Sequence, residues 1–173
     1  VSIYGKENAV INCRFEGKQS PGTLLVVWLG EHDGGHSIDR NFFGPRERLG
    51  KNGGEIIRIG DSNTSLQEAK TMVFGNYFYR CGRVIGEDHR VVHNVFDELT
   101  GEDGRAAVSL MNGIPDSPLN GYFQVKRALV LGNLFYRCRQ NIVVGLRDDD
   151  RKNQSLSPTE STFAENAVVG GGR

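Results

Sequence analysis

The amino-acid sequence predicts an all-β fold of the parallel β-helix type, in which one chain winds through stacked coils. Short segments rich in Val, Ile, Leu and Phe, such as residues 24–28 and 55–59, alternate with Gly, Asn or Asp along the whole chain. No segment has the spacing of an amphipathic helix, and 23 glycines allow frequent turns. A phrase that recurs at an uneven period indicates units that bury their apolar faces only by stacking.

The recurring phrase is an apolar run followed by Asn and then by an aromatic residue two positions later. Its clear copies are Asn41-Phe42-Phe43, Asn76-Tyr77-Phe78, Asn94-Val95-Phe96 and Asn133-Leu134-Phe135, and its degenerate copies are Asn12-Cys13-Arg14-Phe15 and Asn166-Ala167-Val168. In coils stacked roughly 4.8 Å apart, the repeated Phe and Cys would form inward ladders. We expect the repeated Asn at strand-to-turn corners, because Asn tolerates left-handed backbone and bonds nearby main chain. A structural role is therefore expected for these Asn residues, not ligand binding.

The spacing of the phrase separates this fold from other all-β folds. Phe78 and Phe96 lie only 18 residues apart, whereas the other intervals between repeated Phe residues range from 28 to 39. A sandwich predicts alternating, half-exposed strands, and a propeller predicts a regular blade period. Solenoids absorb uneven intervals in loops at one corner, so one solenoid domain spanning residues 1–173 is expected.

Composition limits the classes of partner. Lysine plus arginine and aspartate plus glutamate both number 21, so there is no global positive field to hold nucleic acid. The three cysteines, Cys13, Cys81 and Cys138, lack zinc-site or disulfide-framework spacing and are expected to be buried apolar side chains. No apolar stretch has the length of a membrane span, and Val1 opens the chain without a signal-peptide pattern. The chain is interpreted as part of something larger, without a nucleic-acid or membrane partner.

Several other phrases are distinctive when taken together. They are Phe15-Glu16-Gly17-Lys18, Asn41-Phe42-Phe43-Gly44-Pro45-Arg46, residues 49–62 with the core Asn52-Gly53-Gly54-Glu55, Arg83-Val84-Ile85-Gly86-Glu87-Asp88-His89, and Leu110-Met111-Asn112-Gly113-Ile114-Pro115. With these phrases the chain resembles the polysaccharide lyase family of alginate lyases and chondroitinase B, and it is more similar to the alginate-lyase branch. The resemblance covers nearly all of the chain and implies a right-handed parallel β-helix of the pectin-lyase-like kind.

The resemblance also implies a chemistry, namely β-elimination at a uronate in an anionic polysaccharide such as alginate. In the family a calcium ion neutralises the substrate carboxylate, a lysine takes the C5 proton and an arginine assists departure of the 4-oxygen. Removing a proton beside a carboxylate builds negative charge, which a hard divalent cation and a guanidinium stabilise. Polymer substrates and the resemblance together imply a secreted or periplasmic protein.

The chain departs from the family directly after Cys81. The family continues from this point with a strand that carries two calcium-binding glutamates, an Asn-Lys-Ser phrase with the base and a Leu-Arg-His-Gly phrase with the arginine. Here Cys81 runs into Gly82-Arg83-Val84-Ile85, which the family places roughly two coils later. The sequence therefore predicts the loss of about two coils at the 81/82 junction, no catalytic residue in this chain and incomplete coils at both ends.

Four positions still match or extend the family's site. Asn52 matches a calcium ligand, and Arg58 and Arg83 match arginines of the substrate groove, where a guanidinium can grip a carboxylate with two hydrogen bonds. Arg105 would continue the same strip if the coils stay in register. Calcium affinity is expected to be poor, since the glutamate partners are missing.

Other polar groups have simpler interpretations. The pairs His32/His36 and His89/His93 would suit a metal only on a helix, because residues four apart on a strand are roughly 13 Å apart. Acidic residues at 87–88 and 148–150 are interpreted as surface turns. Three functions remain open: an inactive piece of a lyase, a non-catalytic polysaccharide-binding solenoid, and a purely structural module. In each case uncapped end coils are expected to promote self-association.

Overall fold

The computed structural model describes residues 1–20, 22–29, 33–45, 56–59, 70–80, 84–85, 89–100, 106–116, 124–145 and 154–172. Within these ranges all strands belong to three parallel sheets. Sheet 1 contains β1 (Ser2–Ile3), β4 (Leu25–Val27), β7 (Ile57–Ile59), β10 (Val84–Ile85), β13 (Val108–Leu110) and β16 (Ile142–Val144). Sheet 2 contains β2 (Ala9–Ile11), β5 (Ser37–Asp39), β8 (Met72–Phe74), β11 (Arg90–Val92), β14 (Leu129–Leu131) and β17 (Thr162–Ala164). Sheet 3 contains β3 (Arg14–Phe15), β6 (Phe42–Phe43), β9 (Tyr77–Tyr79), β12 (Val95–Asp97), β15 (Leu134–Tyr136) and β18 (Ala167–Val169).

Successive strands visit the three sheets in turn, so three strands make one coil and each strand pairs with its counterparts in the neighbouring coils. Coil 1 holds β1 to β3, and coil 6 holds β16 to β18. Every strand pair is parallel and in continuous register. The parallel β-helix predicted from the sequence is confirmed.

The core is a set of inward ladders, of which the aromatic ladder of sheet 3 is the clearest. Its rings are Phe15, Phe43, Phe78, Phe96 and Phe135. Neighbouring ring centroids lie 4.9 to 5.0 Å apart and the ring planes are within 4 to 6° of parallel. This distance is the separation between hydrogen-bonded strands, so backbone pairing itself sets the ring stacking.

A ladder of buried Asn side chains follows the aromatic ladder at the corner between sheets 2 and 3. Asn94 is typical: its Oδ1 accepts from the backbone N of Asn76 at 2.9 Å, and its Nδ2 donates to the carbonyls of Val73 and Val92 and to Oδ1 of Asn133. Equivalent bonds link Asn41, Asn76, Asn133 and Asn166. These side chains are satisfied by the protein, so their structural role is confirmed.

The backbone expectation for these Asn residues was wrong. The left-handed residue is the one before each ladder Asn, for example Gly75 and His93, and the ladder Asn residues have no positive φ. The degenerate copy in coil 1 is also displaced by one residue. Asn12 has φ 53°, and Cys13 occupies the ladder position, where its backbone N donates to Asn41. Each corner thus needs a residue with left-handed backbone, followed by a residue whose side-chain amide forms hydrogen bonds. From the repeated phrase alone, both roles were assigned to the Asn.

The cysteines follow the expectation only in part. Cys138 is buried, its Sγ lies 3.3 Å from the carbonyl oxygen of Phe96, and burial raises the pKa of its thiol. Cys13 is exposed, so the expectation of a buried side chain was wrong there. Cys81 lies outside the described residues.

The short interval between Phe78 and Phe96 forms an ordinary coil. Coil 4 stacks on coil 3 with Phe78 opposite Phe96 and with their rings 4.9 Å apart. The Asn ladder crosses the same interface, and Arg80 pairs with Glu98 at 2.6 Å. The interface next to the 81/82 junction therefore has the same ladders as the other coil interfaces. In the described part of the chain no helix could cross a membrane.

Candidate functional site

Arg58 lies in the middle of β7 on the outer face of sheet 1. Its neighbours Ile57 and Ile59 point into the core and are 0% and 5% exposed, whereas Arg58 is half-buried. Alternation along the strand therefore directs the guanidinium away from the core. Its nearest in-register partners are Val26 in coil 2 and Ile85 in coil 4. Two uncharged residues thus flank Arg58 along the solenoid axis.

The register of sheet 1 shows which residues share a row with Arg58, whereas the other arginines of the predicted strip lie outside the described residues. Ile85 is the residue opposite Arg58, since Val84 pairs with Ile57, and Ser109 is the next residue in that row. Similar phrases do not ensure equal register, because hydrogen bonds between strands determine it. Arg83, Arg105 and Asn52 lie outside the described residues, so their roles stay predictions.

An aromatic pair lies on the same outer face, one residue beyond the ends of β1 and β4. Tyr4 and Trp28 stack with their ring centroids 6.0 Å apart and their planes within 6° of parallel. Tyr4 is 62% exposed and Trp28 is half-buried. This pair was not predicted from the sequence. The available signal was the matching alternation in Ser2-Ile3-Tyr4 and Val26-Val27-Trp28, in which the middle residue is buried.

Two histidines occupy the corner between sheets 1 and 2 and are structural. Nδ1 of His36 accepts from the backbone N of Asn8 and Nδ1 of His89 accepts from that of Thr71, both at 3.2 Å. Both side chains are buried, and loss of solvation lowers the pKa of each ring, that of His89 to about 3. Exposed His93 lies edge-on to a Phe ring, and His32 is outside the described residues. Each of these two rings therefore accepts one main-chain hydrogen bond from the neighbouring coil at this corner.

A protein-family model matches the chain and shows the relationship that the sequence phrases indicated. The model of Chondroitinase B matches residues 1–83 and, separately, residues 82–168. The chain belongs to this polysaccharide lyase family. Its two matched segments meet at the junction that the sequence predicts after Cys81.

Solved structures agree with this assignment. The PL6 family alginate lyase AlyGC is 27% identical with a TM-score of 0.57, and the matched region covers 92% of this chain and 29% of AlyGC. A variant of AlyGC is 26% identical with a TM-score of 0.55 over the same shares. A mannuronic acid specific polysaccharide family 6 lyase from the human gut microbiota has the same fold, with 21% identity, a TM-score of 0.52, and 95% and 51% of the two chains covered. The chain thus spans under a third of AlyGC and about half of the gut enzyme. No curated protein matches the chain.

The family's metal has no donor cluster among the described residues, where no group of three or more His, Cys, Asp or Glu side chains converges. The acidic residues at 87–88 and 148–150 lie outside those residues, as does Asn52. Calcium prefers six to eight oxygen ligands, several of them carboxylates. The described donor set therefore does not fit such a site.

The outer face of sheet 3 is also aromatic, but its rings contact charged side chains. The guanidinium of Arg14 lies 4.1 Å from the ring centroid of Phe42 and also pairs with Glu16. The hydroxyl of Tyr77 donates to Asp97, which raises the pKa of Tyr77 to about 12. Sheet 3 thus presents mutually satisfied side chains, in contrast to the Tyr4–Trp28 pair.

Proposed function

We propose that this chain binds a uronate-containing polysaccharide along the outer face of sheet 1 and does not cleave it. Membership of the polysaccharide lyase family supports a polysaccharide ligand. The observation that carries the proposal is the position of Arg58, which projects outward between two buried isoleucines. A guanidinium matches a carboxylate with two parallel hydrogen bonds, so Arg58 would hold one uronate.

The proposed lack of cleavage rests on the residues that the sequence does not contain. The lysine phrase and the arginine phrase of the family are absent after Cys81. The family model matches in two segments that meet at residues 82–83, which supports the loss of intervening coils. Because each coil contacts only its neighbours, such a loss leaves a stack that can still fold.

Calcium binding is proposed to be weak. Asn52 is the one position that matches a calcium ligand, and the two glutamates expected beside it are missing. A single amide oxygen supplies too few ligands and no negative charge for a hard divalent cation. We further propose a secreted or periplasmic location, since a polymeric substrate is met outside the cytoplasm.

Cleavage is tested by the ultraviolet absorbance of the unsaturated uronate that β-elimination produces. The chain is incubated with alginate and calcium beside a variant that carries two coils of a family lyase between residues 81 and 82. We expect product only with the longer variant. Product from the short chain would refute the proposal, because the chemistry would then have to come from residues present here.

Binding is tested by electrophoresis through gels that contain alginate. Arg58→Ala should abolish most of the retardation, and Arg58→Lys should restore only part of it, since an ammonium lacks the two-pronged geometry. Arg14→Ala is the matched control, because Arg14 is exposed on sheet 3. Equal retardation of all four proteins would show that Arg58 does not hold the polymer.

A structural module is the second candidate function, and exposed apolar side chains in coil 6 favour it. Phe163 and Val168 occupy inward positions, opposite the buried residues Val130 and Phe135, yet they are 39% and 53% exposed. Exposed apolar side chains of this kind suit packing against another solenoid. This candidate predicts self-association and no retardation by alginate.

A further inference from the structure

Tyr4, Trp28 and Arg58 project from one face in three consecutive coils. Tyr4 follows β1, Trp28 follows β4 and Arg58 lies within β7. In the register of these strands, Trp28 is one strand across and two residues along from Arg58. Strand spacing and rise place their Cα atoms about 8 Å apart. The aromatic pair and the guanidinium are therefore close enough to contact neighbouring sugars of one oligosaccharide.

The chemistry of these groups fits a uronate chain. A sugar ring has a face of C–H groups that packs on aromatic surface, while its carboxylate requires a cation or hydrogen-bond donors. Aromatic walls with a few well-placed polar groups are the usual lining of small-molecule sites. We propose that Tyr4 and Trp28 form a sugar-stacking platform, and that a uronate oligosaccharide lies across it along the solenoid axis with a carboxylate on Arg58. This inference rests on the proposed function and adds the residues that recognise the sugar ring.

The core does not account for this pair. In the inward ladder on sheet 3, Phe43, Phe78, Phe96 and Phe135 are buried and hold the coils together, whereas Tyr4 is 62% exposed. The outward rings of sheet 3 contact Arg14 or Asp97, as described above. Among the described residues, the rings of Tyr4 and Trp28 have only each other as an aromatic or charged partner. Most of the Tyr4 side chain and part of the Trp28 side chain are therefore exposed to solvent.

Trp28 is the only tryptophan in the chain, so its fluorescence reports directly on the platform. The full chain is titrated with short alginate oligosaccharides while Trp28 emission is recorded, and a neutral glucan of equal length is the ligand control. We expect a saturable change in emission with the alginate oligosaccharide and a much weaker response to the glucan. Tyr4→Ala should weaken binding about tenfold, and Tyr4→Phe should bind like the wild type because stacking is kept.

The outcomes separate the platform from the proposed function. Retardation in alginate gels with unchanged Trp28 emission, or with equal affinities for Tyr4→Ala and wild type, would overturn the platform and leave Arg58 binding in place. Absence of retardation and of any fluorescence change would overturn both. Urea unfolding of Tyr4→Ala shows whether the variant is folded. If it is not, Tyr4→Leu, which keeps an apolar side chain without an aromatic ring, takes its place.

Discussion

Replacing His89 by Asn should make the protein less sensitive to acid. His89 is buried, its Nδ1 accepts a hydrogen bond from the backbone N of Thr71, and its Nε2 has no hydrogen-bond partner among the described residues. Loss of solvation therefore lowers the pKa of the ring to about 3. An Asn places an acceptor oxygen near the position of Nδ1 and does not titrate, and Asn8 already occupies this corner in coil 1.

Proton linkage gives the sign and the size of the effect of His89 on the free energy of unfolding. The folded chain keeps His89 neutral down to a pKa of about 3, whereas the unfolded chain binds a proton below an ordinary histidine pKa of about 6.5. The unfolded state thus gains protons as the pH falls between these values, and the free energy of unfolding decreases. At about 1.4 kcal/mol per pH unit, His89 alone accounts for about 2 kcal/mol of lost stability at pH 5 and about 5 kcal/mol near pH 3.

Urea unfolding followed by circular dichroism at pH 7 and pH 5 measures the effect. The loss of unfolding free energy between the two pH values should be about 2 kcal/mol smaller in His89→Asn than in the wild type. His93→Asn is the matched control, because His93 is exposed, and it should behave like the wild type. An identical pH dependence in His89→Asn and wild type would refute the reasoning that burial of this ring makes the solenoid labile to acid.

Three further predictions concern the ladders and the last coil. Asn94→Ala should cost about 3 kcal/mol or more, because buried donors and acceptors on both sides lose their partners; a urea midpoint within error of the wild type would show that the Asn ladder does not stabilise the stack. Phe96→Ala should cost about 3 to 5 kcal/mol through the cavity it leaves, and Val168→Ala much less, since Val168 is 53% exposed; equal urea midpoints for these two variants would contradict the graded burial. Sedimentation velocity should show concentration-dependent association of the chain that Phe163→Lys weakens; a monomer at all concentrations would show that the exposed last coil does not associate.

The fold could be predicted from the sequence because every coil has to bury side chains at the same positions. Five of the six coils place an inward aromatic ring at the same position of sheet 3, and the repeated Phe43, Phe78 and Phe96 can be recognised in the sequence. Only the Asn of each corner could be predicted from the sequence. The left-handed residue before it is Gly75 in one coil and His93 in another, so no single residue type marks that position. At the equivalent Gly132 a Cβ would lie 2.4 Å from Nδ1 of His93, so a side chain there would require the exposed His93 ring to move.

The candidate site could be predicted only in part. Arg58 could be identified because it interrupts a buried apolar strand within a distinctive phrase. The partners of Arg58 in its row could not, because strand register depends on hydrogen bonds between coils and not on phrase similarity. Tyr4 and Trp28 belong to different coils, so only the fold shows that they stack.

The intact stacking of coil 4 on coil 3 indicates how the outer face of sheet 1 can change in length. Neighbouring coils meet through the same ladders wherever they are joined, so coils can be gained or lost only as whole units. Each unit lengthens or shortens the outer face by about 4.8 Å and keeps every outward row on its own side. A polymer lying along sheet 1 would therefore encounter the same rows at altered intervals, and residues on opposite sides of a junction would be matched to different sugars without any change in their local structure.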